Sequence, residues 1–238
     1  MHMNFFKNPA DVSPSAPGGK ELWEAALLFA VFFLPGYLQQ PMQLDPQLFT
    51  SLSFHGSYLL HTLPRIALIL YILKRTRSGG LSHYGLRRPG IRILPRALLT
   101  FLGAMGLSML MSLIALESGL PGPFEGAPPS GTAGNVNPLI YPLLLITCIT
   151  IGYYEELFFR AYLLGEFART RAARAPAAAA AGLLFAAGHG YQGVVGLAGT
   201  FLIGIFFAYR FFQHRSLHEI ALGHGLYNFA AVLLLLAR

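Results

Sequence analysis

Between Pro138 and Leu164 the chain is apolar apart from the stretch Tyr154-Glu155-Glu156-Leu157-Phe158-Phe159-Arg160, where three ionisable groups fall within six residues. A run of that length suits a helix crossing a bilayer, which takes about 20 apolar residues. Charge at membrane depth costs about 2.5–3.5 kcal/mol per group even on lenient insertion scales. Groups placed there need partners. Later apolar segments supply them, with His189 in one and His224 with Asn228 in another.

Composition places the whole chain in the same setting. Of 238 residues, 54% are apolar and 11% charged, whereas a soluble domain carries about 25% charged residues. Seven apolar segments read as membrane helices, at 22–38, 53–73, 97–116, 138–164, 176–191, 193–210 and 217–237. The first and fifth are short, so a tilted or re-entrant path suits them. The expected fold is an all-α polytopic bundle of about seven transmembrane helices, or eight if a re-entrant segment is counted. Residues 1–20 read as a flexible polar tail and 21–237 as one membrane domain, with 138–237 as its catalytic core. The Gly/Pro-rich segment 118–137 reads as an exposed loop. One cysteine excludes a disulfide framework and any multi-cysteine zinc site.

The net charge of +7 follows membrane topology rather than nucleic-acid binding. Lys7 and Lys20 lie in the tail. Lys74, Arg75, Arg77, Arg87, Arg88, Arg92 and Arg96 lie in the 74–96 loop. Arg169, Arg171 and Arg174 follow the fourth span, and Arg210 and Arg215 lie in the turn before the last one. With seven crossings, these fourteen of the 17 basic residues share one face. The positive-inside rule makes that face, and the N-terminus, cytoplasmic, and Arg238 then ends the chain on the other side.

Glu156 and Arg160 share a helix face at i, i+4 in the favoured acid-before-base order, and the guanidinium would keep the carboxylate ionised. Glu155 points about 100° away and is the freer carboxylate. His224 and Asn228 also share a face at i, i+4. Counting about 1.5 Å per residue from the cytoplasmic ends, Glu155, His189 and His224 reach similar depths. They are expected to meet in one cavity near mid-membrane, toward the cytoplasmic side. A carboxylate and an imidazole around one water form a general-base hydrolase. His224 and Asn228 are suitable donors to an oxyanion. The same groups would also serve as buried pairs that lock helices together.

The ordered set Glu-Glu-x-x-x-Arg at 155–160, Phe-x-x-x-His at 185–189 and His-x-x-x-Asn at 224–228 resembles the CAAX protease and bacteriocin-processing family, also called Abi. The resemblance covers about residues 138–237. It implies a glutamate-dependent intramembrane endopeptidase in which Glu155 and His189 activate water and His224 and Asn228 form the oxyanion site. Glu156 and Arg160 would be a supporting ion pair, and Phe185 would pack beneath His189. The implied partners are the lipid bilayer and a membrane-associated protein or peptide substrate: a prenylated CAAX tail, a peptide precursor or a C-terminal sorting tail. No nucleic acid and no cofactor are expected. Glu155, His189 and His224 are possible zinc ligands. Without a His-Glu-x-x-His helix, and with Arg160 nearby, the expectation is no metal. The composition and the lack of organelle signals suggest a bacterial inner membrane.

Other residues carry weaker signals. Cys148, seven residues before Glu155, is a conceivable nucleophile but reads better as a small buried hydrophobe. His61 and Arg65, flanking Pro64, would line the cavity or pair helices. His55, His214, His218 and Glu219 read as solvated interface residues. Gly193, Gly196, Gly199 and Gly204 suggest a close-packing helix surface. Tyr153, Tyr154 and Tyr227 lie around the polar site. The rival classes are a non-catalytic immunity or scaffold protein and a proton-coupled transporter, the latter lacking the internal repeats such folds show.

Overall fold

The computed structural model describes residues 18–38, 45–76, 80–122 and 136–237. Lys7, Arg77, Arg238, most of the polar tail and most of the 118–137 loop lie outside the described residues. Those described form helices and no strand. In chain order these are α1 (Gly19–Phe32), α2 (Leu34–Leu38), α3 (Leu52–Thr76), α4 (Ile93–Ser118), α5 (Ile140–Glu156), a π-helical segment (Leu157–Leu164), α6 (Gly165–Phe167), α7 (Arg171–Ala187), α8 (Gly193–His214) and α9 (Leu217–Leu236). Short 3₁₀ turns lie at Pro46–Thr50, Gly80–Tyr84 and Gly190–Gln192.

Five of these stretches are long and apolar enough to cross a membrane: Leu52–Thr76, Ile93–Ser118, Ile140–Phe167, Gly190–His214 and Leu217–Leu236. The protein is an integral membrane helical bundle. α1 and α7, with 14 and 17 residues, are the two shorter members, matching the segments read as short. α7 begins at Arg171, five residues before the expected start, because the Thr170 hydroxyl caps it by accepting from the Ala173 N–H at 3.1 Å. Proline is tolerated within its first turns. α3 likewise runs through Pro64 unbroken.

Small residues bring α5 and α9 together. A Cβ on Gly152 would meet the Ala221 carbonyl, and one on Gly225 would lie 2.7 Å from the Ile149 Cα. Such approach lets backbones pack where lipid offers no hydrophobic drive. α7 crosses α8 in the same way, since a Cβ on Gly204 would lie 3.2 Å from the Gly182 Cα. Of the four glycines expected to form a packing surface, Gly199 and Gly204 meet neighbouring helices, and Gly196 packs on Gln192. Gly193 differs: its φ of +73° makes the turn into α8.

One end of the bundle gathers the basic segments. Leu217 N–H donates to the Gly85 carbonyl at 3.0 Å, Arg215 donates to the His83 carbonyl at 3.4 Å, and Tyr84 donates to the buried Glu166 carboxylate at 2.6 Å. Burial, and then the nearby charges of Arg174 and Arg87, lower the pKa of Arg215. Glu219 and His55 correct the sequence reading, because neither is a solvated interface residue, whereas His214 keeps 25% side-chain exposure. Glu219 is fully buried at the start of α9 and accepts from Arg210 at 2.6 Å, His214 at 2.7 Å and Thr100 at 3.2 Å. His55 is also fully buried, bonded to Thr147 at 3.0 Å and the Phe49 carbonyl at 3.1 Å. His218 is half-buried against the Tyr153 hydroxyl at 2.8 Å. Helix packing supplies the partners that sequence position alone could not reveal.

Candidate active site

Glu155 and Glu156 end the α-helical part of α5, immediately before the π segment that carries Arg160. π turns are rare and frequent at functional sites. Arg160 is buried and donates to Glu156 Oε1 at 2.9 Å and to the Gly204 carbonyl at 3.1 Å. Its guanidinium lies 4.7 Å from the Phe185 ring centroid and 5.4 Å from that of Phe207, a cation–π setting. The i, i+4 pair read from the sequence therefore forms, and it does so buried among aromatic rings.

Glu156 Oε1 also accepts from His224 Nδ1 at 2.9 Å. A carboxylate already bound to an arginine only accepts, so His224 carries hydrogen on Nδ1 and presents Nε2 to the cavity. That Nε2 lies 3.5 Å from Glu155 Oε2, too far for a well-formed hydrogen bond. Glu155 Oε2 is buried with no hydrogen-bond partner among the described residues, and its side chain retains 19% exposure. It is the freer of the two carboxylates.

His189 closes α7. Its Nδ1 donates to the Phe185 carbonyl at 2.9 Å, which leaves Nε2 as the atom available for proton transfer. The Phe185 ring lies against both imidazoles, with centroids 4.9 Å from His189 and 5.7 Å from His224. Glu155, His189, His224 and Asn228 all line one cavity of about 220 Å³. The sequence placed that cavity toward the cytoplasmic side. From the reactive groups its lining extends along α5 to Leu144 and along α9 to Leu235, toward the bundle end opposite the basic segments.

Several other residues divide between cavity and scaffold. Cys148 lines the cavity about 10 Å from Glu155 along the helix axis. Tyr227 lines it too. Tyr153 instead faces His218, and Tyr154 donates to the Phe32 carbonyl at 2.6 Å. His61 turns back on its own helix, 2.7 Å from the Ser57 carbonyl, and Arg65 reaches Tyr154. Phe49, Tyr58, Tyr191 and Gln192 also line the cavity. The sequence reading missed these four because they come from segment ends and a turn, where no periodic pattern marks them. Among the described residues, no three His, Cys, Asp or Glu side chains are grouped so as to hold a metal ion.

Residues 137–230 match the family model described as Type II CAAX prenyl endopeptidase Rce1-like. This region is Rce1-like. The matched Rce1-like stretch contains all three motifs and agrees with the resemblance they carry; the family is one of CAAX-type intramembrane endopeptidases. α1 to α4 lie outside the match. No curated protein and no solved structure matches the chain.

Proposed function

We propose that the protein is an intramembrane endopeptidase that hydrolyses a peptide bond through water activated by Glu155 and His189. The observation that carries this reading is the convergence of Glu155, His189, His224 and Asn228 on one cavity, with His224 held in place by the Glu156–Arg160 pair. Glu155 takes a proton from water while His189 Nε2 orients that water. The hydroxide attacks the scissile carbonyl carbon. The oxyanion that forms receives hydrogen bonds from the Asn228 amide and from His224 Nε2 when protonated. Collapse of the tetrahedral intermediate breaks the C–N bond, and the proton on Glu155 passes to the leaving amine. No metal takes part. The protein would sit in a bacterial plasma membrane with its N-terminus in the cytoplasm.

The test compares protein termini in membranes of cells producing wild type or Glu155→Gln at equal levels. Termini that arise only with the wild type are the expected result and identify the substrate. Identical termini, with both proteins folded in the membrane, would favour a non-catalytic binding role.

A further inference from the structure

We infer that the cavity is open to the non-cytoplasmic side and receives an extended, uncharged, apolar segment of an exported protein or peptide. The substrate part of this inference rests on the proteolytic reading above; the sidedness does not.

Two antiparallel stripes form the cavity walls. On α5, Leu144, Cys148, Ile151 and Glu155 face it, and on α9, His224, Asn228, Ala231 and Leu235. Each stripe repeats at three or four residues, and each covers about 16 Å of helix axis at 1.5 Å per residue. α5 runs toward the reactive groups and α9 runs away from them, so both stripes lead from the Glu155–His224 level to the same end of the bundle. The 3₁₀ turn before α3, at Phe49, the first turns of α3, at Tyr58, and the turn after α7, at Tyr191 and Gln192, lie along the same passage. In the other direction the space is filled. Arg160, Phe207, Phe211, Ile220 and Ala221 are buried beneath the reactive groups.

The filled end is the basic end. Arg87 and Arg88, Arg169 to Arg174, and Arg210 with Arg215 belong to segments that meet there through the Leu217–Gly85, Tyr84–Glu166 and Arg215–His83 bonds. Short loops rich in Lys and Arg remain cytoplasmic during insertion. The passage to Glu155 therefore starts from the opposite side of the membrane. A protein tail modified in the cytoplasm has no direct path to it, whereas an exported segment does.

The dimensions define the occupant. An extended chain advances about 3.3 Å per residue, so about five residues would span the 16 Å stripes from end to end. A volume of about 220 Å³ is below the roughly 300–1,000 Å³ of clefts for drug-sized ligands. It favours a peptide strand with small side chains over one carrying a bulky lipid. The walls are mostly aliphatic and aromatic, with Thr147, Gln192 and Thr200 as neutral polar groups, and the only acidic or basic side chains among the described lining residues are Glu155, His189 and His224. A charge carried into the passage would lose its hydration and meet neutral groups but no compensating charge other than the reactive groups.

Sidedness is tested with full-length protein in a Cys148→Ala background, which removes the single cysteine. Gln192→Cys at the passage, Val232→Cys within it and Arg88→Cys in the basic segment are each exposed to a membrane-impermeant maleimide. Right-side-out vesicles should label Gln192→Cys and Val232→Cys and leave Arg88→Cys unlabelled, and inverted vesicles should reverse the pattern. Labelling of Val232→Cys from the same face as Arg88→Cys would overturn the inference. The substrate class is tested on the same vesicles with an internally quenched peptide containing five consecutive small aliphatic residues. Cleavage is expected in right-side-out vesicles with wild type, with loss in Glu155→Gln and loss when the central residue becomes Asp. Equal cleavage of the Asp peptide would overturn the apolar-segment assignment. If wild type cleaves neither peptide from either face, the apolar-segment assignment fails, while the comparison of protein termini still decides proteolysis and the labelling pattern still decides sidedness.

Discussion

Tyr37 donates its hydroxyl hydrogen to the carbonyl oxygen of Leu184 at 2.7 Å, tying α2 to the end of α7. The same ring fills the space beside Gly188, where an added Cβ would come within 2.5 Å of it. Gly188 immediately precedes His189, so a helix outside the Rce1-like region fixes the backbone that carries a proposed catalytic imidazole. Gly188→Ala is expected to overpack this contact, at a cost of about 1–3 kcal/mol, and to reduce turnover by displacing His189. Combining it with Tyr37→Ala should restore part of the turnover, since space returns although the hydrogen bond is lost. Cleavage assays with thermal unfolding of both variants provide the check; a double variant no better than Gly188→Ala would contradict this role for Tyr37.

The buried Glu156–Arg160 pair is expected to dominate the stability of the site. Arg160→Met leaves Glu156 as an uncompensated buried charge, and breaking a buried pair from one side costs about 3–5 kcal/mol. The double change Glu156→Gln with Arg160→Met should recover much of that loss without recovering activity, because His224 loses the carboxylate that orients it. Thermal unfolding in detergent measures the first effect and turnover the second.

Glu155 should behave in the opposite way. Its Oε2 has no partner among the described residues, so Glu155→Gln is expected to leave stability unchanged or raise it while abolishing cleavage. His189→Ala should also abolish cleavage. Asn228→Ala should lower kcat by about 10²–10³ with little change in KM, as for loss of one oxyanion donor. A large drop in unfolding temperature for Glu155→Gln would instead mark the residue as part of the scaffold.

Chelation distinguishes a metal-free from a metal-assisted hydrolase. Activity is expected to survive prolonged treatment with a strong zinc chelator, and a loss reversed by added zinc would refute the metal-free mechanism. Cys148→Ala should keep wild-type turnover, because the thiol lies about two helical turns from Glu155.

Much of the site was legible from local spacing. Glu156 and Arg160 pair because four residues return the chain to one helix face. His224 and Asn228 share a cavity wall for the same reason. The helical bundle followed from apolar runs that a soluble core would have no room to bury. Long-range partners were not legible. Glu219 gathers Arg210, His214 and Thr100, and His55 finds Thr147, only because α4 packs on α8 and α9 and α3 packs on α5. Nothing in their local sequence records that proximity.

The sequence by itself determined the membrane setting, the helices and the identity of the polar groups at membrane depth, because hydrophobic length and helical periodicity are properties of a single segment. Only the tertiary structure decided that Glu156, the carboxylate paired with Arg160, holds His224 Nδ1, that Tyr37 supports Gly188, and that the cavity extends away from the basic end. Those relationships depend on how closely glycine-faced helices approach and on which side chains fill the space between them. That outcome is set by all the packed segments together.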